Sequence, residues 1–400
     1  MHACRHADGN GRPKVVFVAN TDWYLYNFRA RLIQQAEDEG WRITLICHPG
    51  AYVAKLRERG WKVITLPLGG PGANPLREAA ALTRLGRVLR REQPDVVHLF
   101  TLKCVLYGSL VTPLVPRARV IGALTGLGHL FTATSRRSRV LKRLVLAGLR
   151  LSLKQAQIQL IFQNECDRQE FVHGKLIPAN RSHVIRGSGV DCQAFCPAAH
   201  PPALAATPRL LFCGRLLMEK GIHEYIAATR QLRLQGHRFT SRIAGSPYPG
   251  NPSSLTTTQV QALTQEDGHH YLGHHENMQD LLADTDIVVL PTTYREGTPK
   301  VLLEAAACGC IIVTTDIPGC QGIVEPGENG YLVAPRDAAA LVQSMEALFA
   351  LSPDKRAAMH ARSRQIALER FSDTQVNAAT LALYQRPENA RRYSYASGQN

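Results

Sequence analysis

The sequence has no apolar run of the roughly 20 residues that a membrane-spanning helix needs. Its first residues, MHACRHADGNGRPK, lack the apolar core of a signal peptide. The ten cysteines are scattered, and Cys308-x-Cys310 and Cys192-xxx-Cys196 are not backed by a second pair at zinc spacing. These absences predict a chain that remains in the cytoplasm, with free thiols rather than disulfides or a structural metal site.

Acidic residues are missing from one long stretch of the chain. There is none between Asp95 and Glu165, and residues 1–200 hold 29 Lys and Arg against 13 Asp and Glu, whereas residues 201–400 hold 18 against 19. So local an excess of positive charge predicts an anionic partner for the first half: nucleic acid, a phosphorylated substrate or a membrane surface. The charge alone does not choose among them.

The alternation of short β-branched runs with helical segments predicts two α/β domains, each with a doubly wound parallel sheet. We expect the first domain at residues 14–191, with strands from KVVFVAN (14–20) to HVIRGSGV (183–190). The Pro- and Ala-rich stretch 192–208 predicts a linker. The second domain is expected at 209–372, followed by a C-terminal helix at 373–386 that packs back on the first domain and by a disordered tail at 387–400. Ligands of such folds bind in the cleft beyond the carboxyl ends of the strands, so we expect the two domains to face a central cleft.

The segment YREGTPKVLLEAAACGC (294–310) follows a buried strand and opens a helix near Pro299, a residue favoured at the first helical position. Backbone N–H groups of 298–301 would form an anion site for a diphosphate. Glu304, about 1.5 turns along the helix, could accept hydrogen bonds from vicinal sugar hydroxyls. The simpler alternative for Glu296 and Glu304 is ordinary acidic capping of a helix.

The segment FCGRLLMEKG (212–221) places Arg215 at the end of a strand and Lys220 at the start of a helix. Two cations there could neutralise a diphosphate leaving group. Taken alone, they could equally be two solvated surface charges.

In this order, the Gly-Arg…Lys-Gly element at 214–221 and the two glutamates separated by seven residues resemble the family 4 glycosyltransferases of the GT-B fold, over about residues 14–385. The resemblance implies a retaining, metal-independent transfer from a nucleotide sugar, UDP-linked, without a cofactor. It implies that Arg215 and Lys220 hold the donor diphosphate and that Glu304 holds the ribose. Glu296 would lie beside the donor sugar as a catalytic residue, with Gly297, Thr298 and Pro299 completing the donor site. Asp284-x-Asp286 is interpreted as a helix end and strand start rather than a metal site, and the loop around His269-His270 and His274-His275 is expected near the nucleotide base.

The segments HLFTLKCVLYG (98–108) and ALTGLGHLF (123–131) resemble a subgroup that transfers N-acetylhexosamines or similar sugars to undecaprenyl-diphosphate-linked saccharides, as in O-antigen, capsule and lipopolysaccharide biosynthesis. The resemblance implies an acceptor site in the first domain, with Thr101, Lys103 and His129 as the candidate residues.

A basic amphipathic helix is predicted at 135–155. At 100° per residue, six of the seven basic residues from 136 to 154 fall within an arc of about 120°. A solvated face of a domain helix would explain them, but a lipid-linked acceptor favours an anionic inner-membrane surface held by Arg139, Lys142, Arg143 and Arg150. We therefore expect a peripheral membrane protein.

Four other classes of protein would explain part of the sequence. A nucleic-acid-binding protein would explain the charge, but residues 136–154 contain no Phe, Tyr or Trp for stacking and no reading module is recognisable, so no nucleic-acid partner is expected. A dinucleotide oxidoreductase would need G-x-G-x-x-G after the first strand, where VANTDWYLYN stands instead. A nucleotide-sugar 2-epimerase of the same fold and a basic non-catalytic membrane-binding protein remain open.

Overall fold

The computed structural model describes residues 11–69, 74–126, 136–155, 158–198, 207–248, 251, 253–265, 268–295 and 297–385. The chain divides into two compact units, one formed by Met1–Ser188 with Val376–Asn400 and the other by Gly189–Gln375. Each unit contains a parallel sheet with helices on both faces.

The first unit contains a seven-stranded sheet in the order β3-β2-β1-β4-β5-β6-β7. All of its strand pairs are parallel. The central strands are nearly continuous apolar runs because both faces are covered, whereas the two edge strands are shorter and more polar. The strands are β1 (Lys14–Val18), β2 (Arg42–Cys47), β3 (Lys62–Thr65), β4 (Val96–Phe100), β5 (Arg119–Leu124), β6 (Gln159–Phe162) and β7 (Ser182–Val184). The strand order reverses between β1 and β4, which is where open sheets of this kind bind ligands.

Helices cover both faces of this sheet and bury two separate apolar clusters. Those longer than one turn are Ala30–Asp38, Val53–Glu58, Pro75–Glu92, Thr101–Val111, Arg136–Gln155 and Glu165–His173. Local sequence sets their ends: Asn74 caps Pro75–Glu92 by accepting from the N–H groups of Leu76 and Arg77, as expected for an N-cap asparagine followed by proline.

The second unit contains a six-stranded parallel sheet in the order β10-β9-β8-β11-β12-β13 around a single apolar cluster. The strands are β8 (Arg209–Cys213), β9 (Thr240–Ala244), β10 (His270–Gly273), β11 (Ile287–Leu290), β12 (Ile311–Thr315) and β13 (Gly330–Val333). Its helices are Ile222–Leu234, Thr257–Gln265, Met278–Ala283, Lys300–Ala307, Pro318–Gln321, Ala338–Phe349 and Pro353–Ile366. The strand order reverses between β8 and β11, the two strands that the motifs at 212–221 and 294–310 follow.

The segment that connects the two units differs from the predicted strand and linker. The strand expected at 183–190 ends at Val184, because Gly187 and Gly189 have φ of 72° and 76°, which breaks an extended strand. The boundary lies between Ser188 and Gly189, before the linker predicted at 192–208, and Cys192 is buried in the core of the second unit. Residues 199–206 of that linker and the tail 386–400 lie outside the described residues.

The C-terminal helix Asp373–Ala382 carries the chain back to the first unit, which resumes at Val376. Leu381 and Tyr384 are buried in the apolar cluster that contains β1. The Tyr384 hydroxyl lies 2.6 Å from Nδ1 of His98, a fully buried residue of β4. Among the described residues, no helix is long and apolar enough to cross a membrane.

Candidate functional site

The turn that follows β8 presents two cations in different environments. Arg215 is exposed, whereas Lys220 is only 6% exposed and ends a short 3-10 turn, Met218–Lys220. Gly221 follows with φ of 81°, a conformation that glycine adopts without strain, and starts the helix Ile222–Leu234. The same strand end therefore supplies one exposed and one buried positive charge.

The turn is attached to the loop that follows β11. The carbonyl oxygen of Glu219 accepts hydrogen bonds from the Thr293 backbone N–H at 2.7 Å, the Thr292 hydroxyl at 3.1 Å and the Thr293 hydroxyl at 3.3 Å. A Cβ atom at Gly221 would overlap the carbonyl oxygen of Pro291. Glycine is thus required where the two segments touch, and the cations lie beside the segment that leads to the glutamates.

Glu304 is a buried carboxylate on the helix Lys300–Ala307. It is 8% exposed, and its Oε1 atom lies 3.3 Å from Lys300 Nζ, one helical turn earlier. Burial raises the pKa of Glu304, and Lys300 opposes that shift only in part. Burial also raises the pKa of Cys213 to about 12, with Glu304 adding to the effect and Lys220 opposing it. Glu304 and Lys220 therefore act electrostatically on the same strand end.

Both cations stand over tyrosine rings. The guanidinium carbon of Arg215 lies 5.2 Å from the centroid of the Tyr248 ring, and Lys220 Nζ lies 5.9 Å from that of Tyr294. These distances are within the range of cation–π attraction. The site thus combines two cations, a helix N-terminus and a buried carboxylate at the point where strand order reverses.

Two family models match this chain. One, described as "Glycosyl transferase 4-like", matches residues 14–164, and the other, described as "Glycosyl transferases group 1", matches residues 207–350. The two matches together span most of the chain, one in each unit. The chain belongs to the family 4 glycosyltransferases. The glycosyltransferase interpretation of the sequence is confirmed.

Two curated relatives bear on the function. An N,N'-diacetylbacillosaminyl-diphospho-undecaprenol alpha-1,3-N-acetylgalactosaminyltransferase of Campylobacter jejuni is 26% identical over 328 residues, which are 80% of this chain and 84% of the relative. The putative colanic acid biosynthesis glycosyltransferase WcaL of Escherichia coli K12 is 33% identical over 205 residues, 49% of each chain. This glycosyltransferase thus spans most of the first relative and about half of the second.

Solved structures agree on the fold. The sucrose-phosphate synthase of Thermosynechococcus elongatus has a TM-score of 0.77 at 18% identity, covering 96% of this chain and 100% of its own. Anabaena HepE in complex with UDP has a TM-score of 0.73 at 20% identity, covering 92% and 99%. This glycosyltransferase has the GT-B fold with two parallel-sheet, Rossmann-like domains, as the sequence predicted.

The structure brings Arg215, Lys220 and Glu304 to one edge of the second sheet. Gly297 and Thr298 directly precede the helix of Glu304, but Glu296 lies outside the described residues. The helix begins at Lys300, one residue after Pro299, which is its N-cap because its ψ of 121° is extended rather than helical.

Asp284 and Asp286 lie at the opposite, amino-terminal edge of that sheet and are held by arginines. Arg209 contacts Asp286 at 2.8 Å, and Arg242 contacts Asp284 at 2.9 Å. Burial raises the pKa of Asp286, but the hydrogen bonds from Arg209 outweigh it and lower the pKa. Among the described residues, no group of three or more His, Cys, Asp or Glu side chains is placed to hold a metal ion.

His269, beside the loop expected near the nucleotide base, has structural contacts of its own, and the expectation for the loop stays a prediction. His269 is 9% exposed, and its Nδ1 atom lies 2.7 Å from the Ser241 hydroxyl, which in turn contacts the Tyr225 hydroxyl at 2.7 Å. This histidine belongs to a buried network between a strand and a helix. His274 is exposed and His275 is half-buried.

The predicted acceptor residues lie partly in the described structure. Thr101, directly after β4, has φ of 72°, and Lys103 forms an ion pair with Glu78 at 3.1 Å. Glu78 also accepts a short hydrogen bond from the Tyr107 hydroxyl. Burial raises the pKa of Glu78, but the bonds from Tyr107 and Lys103 outweigh it and lower the pKa. Lys103 is therefore already partnered, and His129 lies outside the described residues.

The basic helix Arg136–Gln155 packs one of its faces against the apolar core of the first unit, to which it belongs. Leu149 and Leu153 are buried, whereas Arg143, Arg150 and Lys154 are exposed. Arg150 donates a hydrogen bond to the Gly174 carbonyl at 3.0 Å. The side chains of Arg139 and Lys142 lie outside the described part of this helix.

Sequence reasoning missed Tyr248, Tyr294 and the threonines that bind Glu219. A tyrosine or threonine in a loop carries no periodic signal, so only the folded contacts identify them. Lys300 could have been found, because a lysine four residues before a glutamate on a helix predicts an ion pair.

Glu304→Gln separates the cost of the buried carboxylate to the stability of the fold from the role in UDP binding that the resemblance implies for it. Because the folded pKa is raised, ionised Glu304 destabilises the fold above that pKa, and this cost disappears as pH falls through it. The variant should therefore unfold at the same or a higher temperature than wild type at pH 8, with the gap narrowing toward pH 5. UDP affinity should fall roughly 10- to 100-fold, as for loss of charged hydrogen bonds.

Exposed Glu328 lies in the same unit and supplies the matched control, Glu328→Gln, which should leave both quantities unchanged. Thermal unfolding across pH and calorimetric titration with UDP are the measurements. A Glu304→Gln protein that is clearly less stable than wild type at pH 8 would contradict the argument, since Lys300 would then outweigh burial.

Proposed function

We propose that this glycosyltransferase moves a hexosamine or hexose from a UDP-linked donor to an undecaprenyl-diphosphate-linked saccharide, retaining the anomeric configuration of the donor sugar and using no metal ion. The pairing of Arg215 and Lys220 with the helix of Glu304, where the strand order of the second sheet reverses, carries the proposal.

Arg215 and Lys220 account for the leaving group. When the bond from the sugar to the donor diphosphate breaks, negative charge grows on the phosphate oxygens, and cations fixed beforehand stabilise that charge most. Lys220, buried and held at a turn that Glu219 ties to the next loop, meets this requirement. The N-terminus of the helix Lys300–Ala307 adds a favourable dipole.

Glu304 accounts for recognition of the nucleoside. One of its oxygens contacts Lys300. A carboxylate has about four acceptor positions and can receive two vicinal hydroxyl groups as well. A buried carboxylate left partly unsatisfied gains more from such a ligand than an exposed one would. Ribose fits this description.

The metal-independent part of the proposal rests on where the carboxylates are. Asp284 and Asp286 are engaged by Arg209 and Arg242 at the sheet edge opposite Arg215 and Lys220. Protein cations near the diphosphate would supply the charge that a divalent ion supplies elsewhere. Retention is proposed because the resemblance to family 4 implies it.

The acceptor is proposed from the name of the Campylobacter jejuni relative, of which this chain covers 84%. The names of WcaL and of a capsular polysaccharide biosynthesis glycosyltransferase of Staphylococcus aureus support a place in surface polysaccharide synthesis. Such an acceptor carries a diphosphate and a lipid. The excess of basic residues in the first half of the chain suits both.

Transfer of radiolabel from a panel of UDP-sugars to an undecaprenyl-diphosphate-linked N-acetylhexosamine tests the proposed function. Lys220→Ala should lower the rate roughly 100-fold, or about 3 kcal/mol of transition-state stabilisation, as for loss of one preorganised donor to a developing anion. Proton NMR of the product reports the anomeric configuration. A folded Lys220→Ala enzyme with near-normal turnover would remove this residue from the mechanism, and absence of transfer from every donor would contradict the proposal itself.

Chelation tests the proposed absence of a metal ion. Transfer should persist after exhaustive treatment with EDTA, because Arg215 and Lys220 supply the charge. Activity that disappears and returns only with Mg²⁺ or Mn²⁺ would contradict this part of the proposal and leave the donor site itself standing.

Association with an anionic membrane is the remaining prediction. Basic residues near such a surface contribute about 1 kcal/mol each, and the effect fades within a Debye length of roughly 8–10 Å. Replacing Arg139, Lys142, Arg143 and Arg150 with Ser should release the protein from phosphatidylglycerol-containing vesicles in a sedimentation assay while UDP binding is kept. High salt should reproduce part of the effect.

Four exposed arginines of the helix Pro75–Glu92 provide a control with the same change in charge: Arg84, Arg87, Arg90 and Arg91. A triple variant that keeps Arg150 separates loss of charge from loss of its bond to Gly174. If both quadruple variants sediment alike, overall charge rather than the helix Arg136–Gln155 determines binding.

A further inference from the structure

Arg215 is an exposed arginine whose guanidinium has one fixed neighbour in the described part of the chain. That neighbour is the ring of Tyr248, whose centroid lies 5.2 Å from the guanidinium carbon. Tyr248 is itself 50% exposed, although an aromatic ring of this size contributes most to a fold when it is buried. The cation–π pair of Arg215 and Tyr248 therefore does little for the core and lies where the donor diphosphate is proposed to bind.

Backbone hydrogen bonds connect the segment of Arg215 to the loop that carries Tyr248. The Tyr248 N–H donates to the Ser254 hydroxyl at 2.7 Å, which closes the loop on itself. On one side of the loop the Leu216 N–H donates to the Ser246 carbonyl at 3.1 Å, and on the other the Leu255 N–H donates to the Leu216 carbonyl at 2.9 Å. The residue next to Arg215 is thus bonded to both ends of the loop that carries Tyr248.

Arg215 and Lys220, which are proposed to bind the diphosphate, are held in position by different contacts. Lys220 is buried and has its position set by the turn before Gly221. Arg215 is exposed, and a free arginine loses much rotamer entropy when it closes on an anion. A ring beneath a planar guanidinium removes part of that loss before the ligand arrives, and it leaves the edge N–H groups free to point at phosphate oxygens.

We propose that Tyr248 is a positioning residue that acts through Arg215, stacking under its guanidinium so that the N–H edge is presented to the donor diphosphate. The inference rests on the proposed function, which places the diphosphate at Arg215. It predicts that the aromatic ring of Tyr248 matters and its hydroxyl does not, because the attraction comes from the face of the ring.

A double-mutant cycle in the full chain tests the inference, with UDP as the probe and calorimetric Kd as the measurement. Tyr248→Ala should weaken UDP binding roughly three- to tenfold, in line with a partly exposed cation–π contact and the lost preorganisation. Tyr248→Phe should bind UDP as wild type does. In an Arg215→Ala background, Tyr248→Ala should add less than about a twofold effect. Arg215→Lys, which loses the planar stack, should resemble Tyr248→Ala.

Uridine, which lacks the diphosphate, is the matched ligand and should bind all variants equally in ligand-observed NMR. Leu234→Ala truncates another exposed large side chain of the same unit and should leave UDP affinity unchanged. Additive effects of the two alanine substitutions, a Phe variant as weak as the Ala variant, or equal losses for uridine and UDP would each overturn the inference. Wild-type protein that does not bind UDP would overturn both the proposed donor and the inference. If Arg215→Ala weakens UDP binding but Tyr248→Ala does not, the inference alone is overturned.

Discussion

The carbonyl oxygen of Glu219 joins the two segments on which the candidate donor site depends. It accepts hydrogen bonds from Thr292 and Thr293, and Gly221 allows the turn after β8 to touch Pro291 without overlap. Without this attachment, Lys220 and the helix of Glu304 would be set by two independent loops. Because electrostatic stabilisation depends on charges that are in place before the reaction, the backbone carbonyl of Glu219 affects how well the neighbouring cations can act. The site is therefore specified by backbone geometry as much as by its charged residues.

Much of the fold could be predicted from the sequence because parallel strands covered on both faces are short runs of Val, Ile and Leu, and such runs stand out without any partner information. The positions of Arg215, Lys220 and Glu304 could be predicted for a related reason: they lie in the turn after β8 and on the first helix after β11, where the order of the elements determines position. The strand predicted at 183–190 failed because Gly187 and Gly189 take positive φ, which composition does not reveal. Tyr248 and the network of His269 could not be predicted, since both depend on contacts between residues distant in the chain.

Charged residues have different surroundings at the two edges of the second sheet. At the amino-terminal edge, Arg209, Arg242, Asp284 and Asp286 neutralise one another, so their charges stabilise the start of two strands and need no ligand. At the carboxyl-terminal edge, burial of Glu304 raises its pKa even beside Lys300, and Arg215 stacks on a neutral ring. Groups that the fold leaves incompletely compensated are the ones that a ligand can satisfy, and perturbed pKa values collect at such places. The spacing of Asp284 and Asp286 resembles a metal site in the sequence, but their role is structural because arginines hold both carboxylates.

Lys103, in the first unit, is intermediate between a charge that is fully compensated by its neighbours and one that a ligand can satisfy. Its ion pair with Glu78 is partly exposed, and exposed ion pairs contribute little to stability, so the pair can exchange partners at small cost. Glu78 keeps its hydrogen bond from Tyr107 if Lys103 turns away, which leaves the carboxylate satisfied. An acceptor diphosphate carries more negative charge than Glu78 and would compete for Lys103 effectively at low ionic strength and less so at high. A pre-existing carboxylate partner therefore does not remove a lysine from an anion site. Instead, a ligand must attract Lys103 more strongly than Glu78 does. A doubly charged diphosphate meets this condition better than a single sugar hydroxyl.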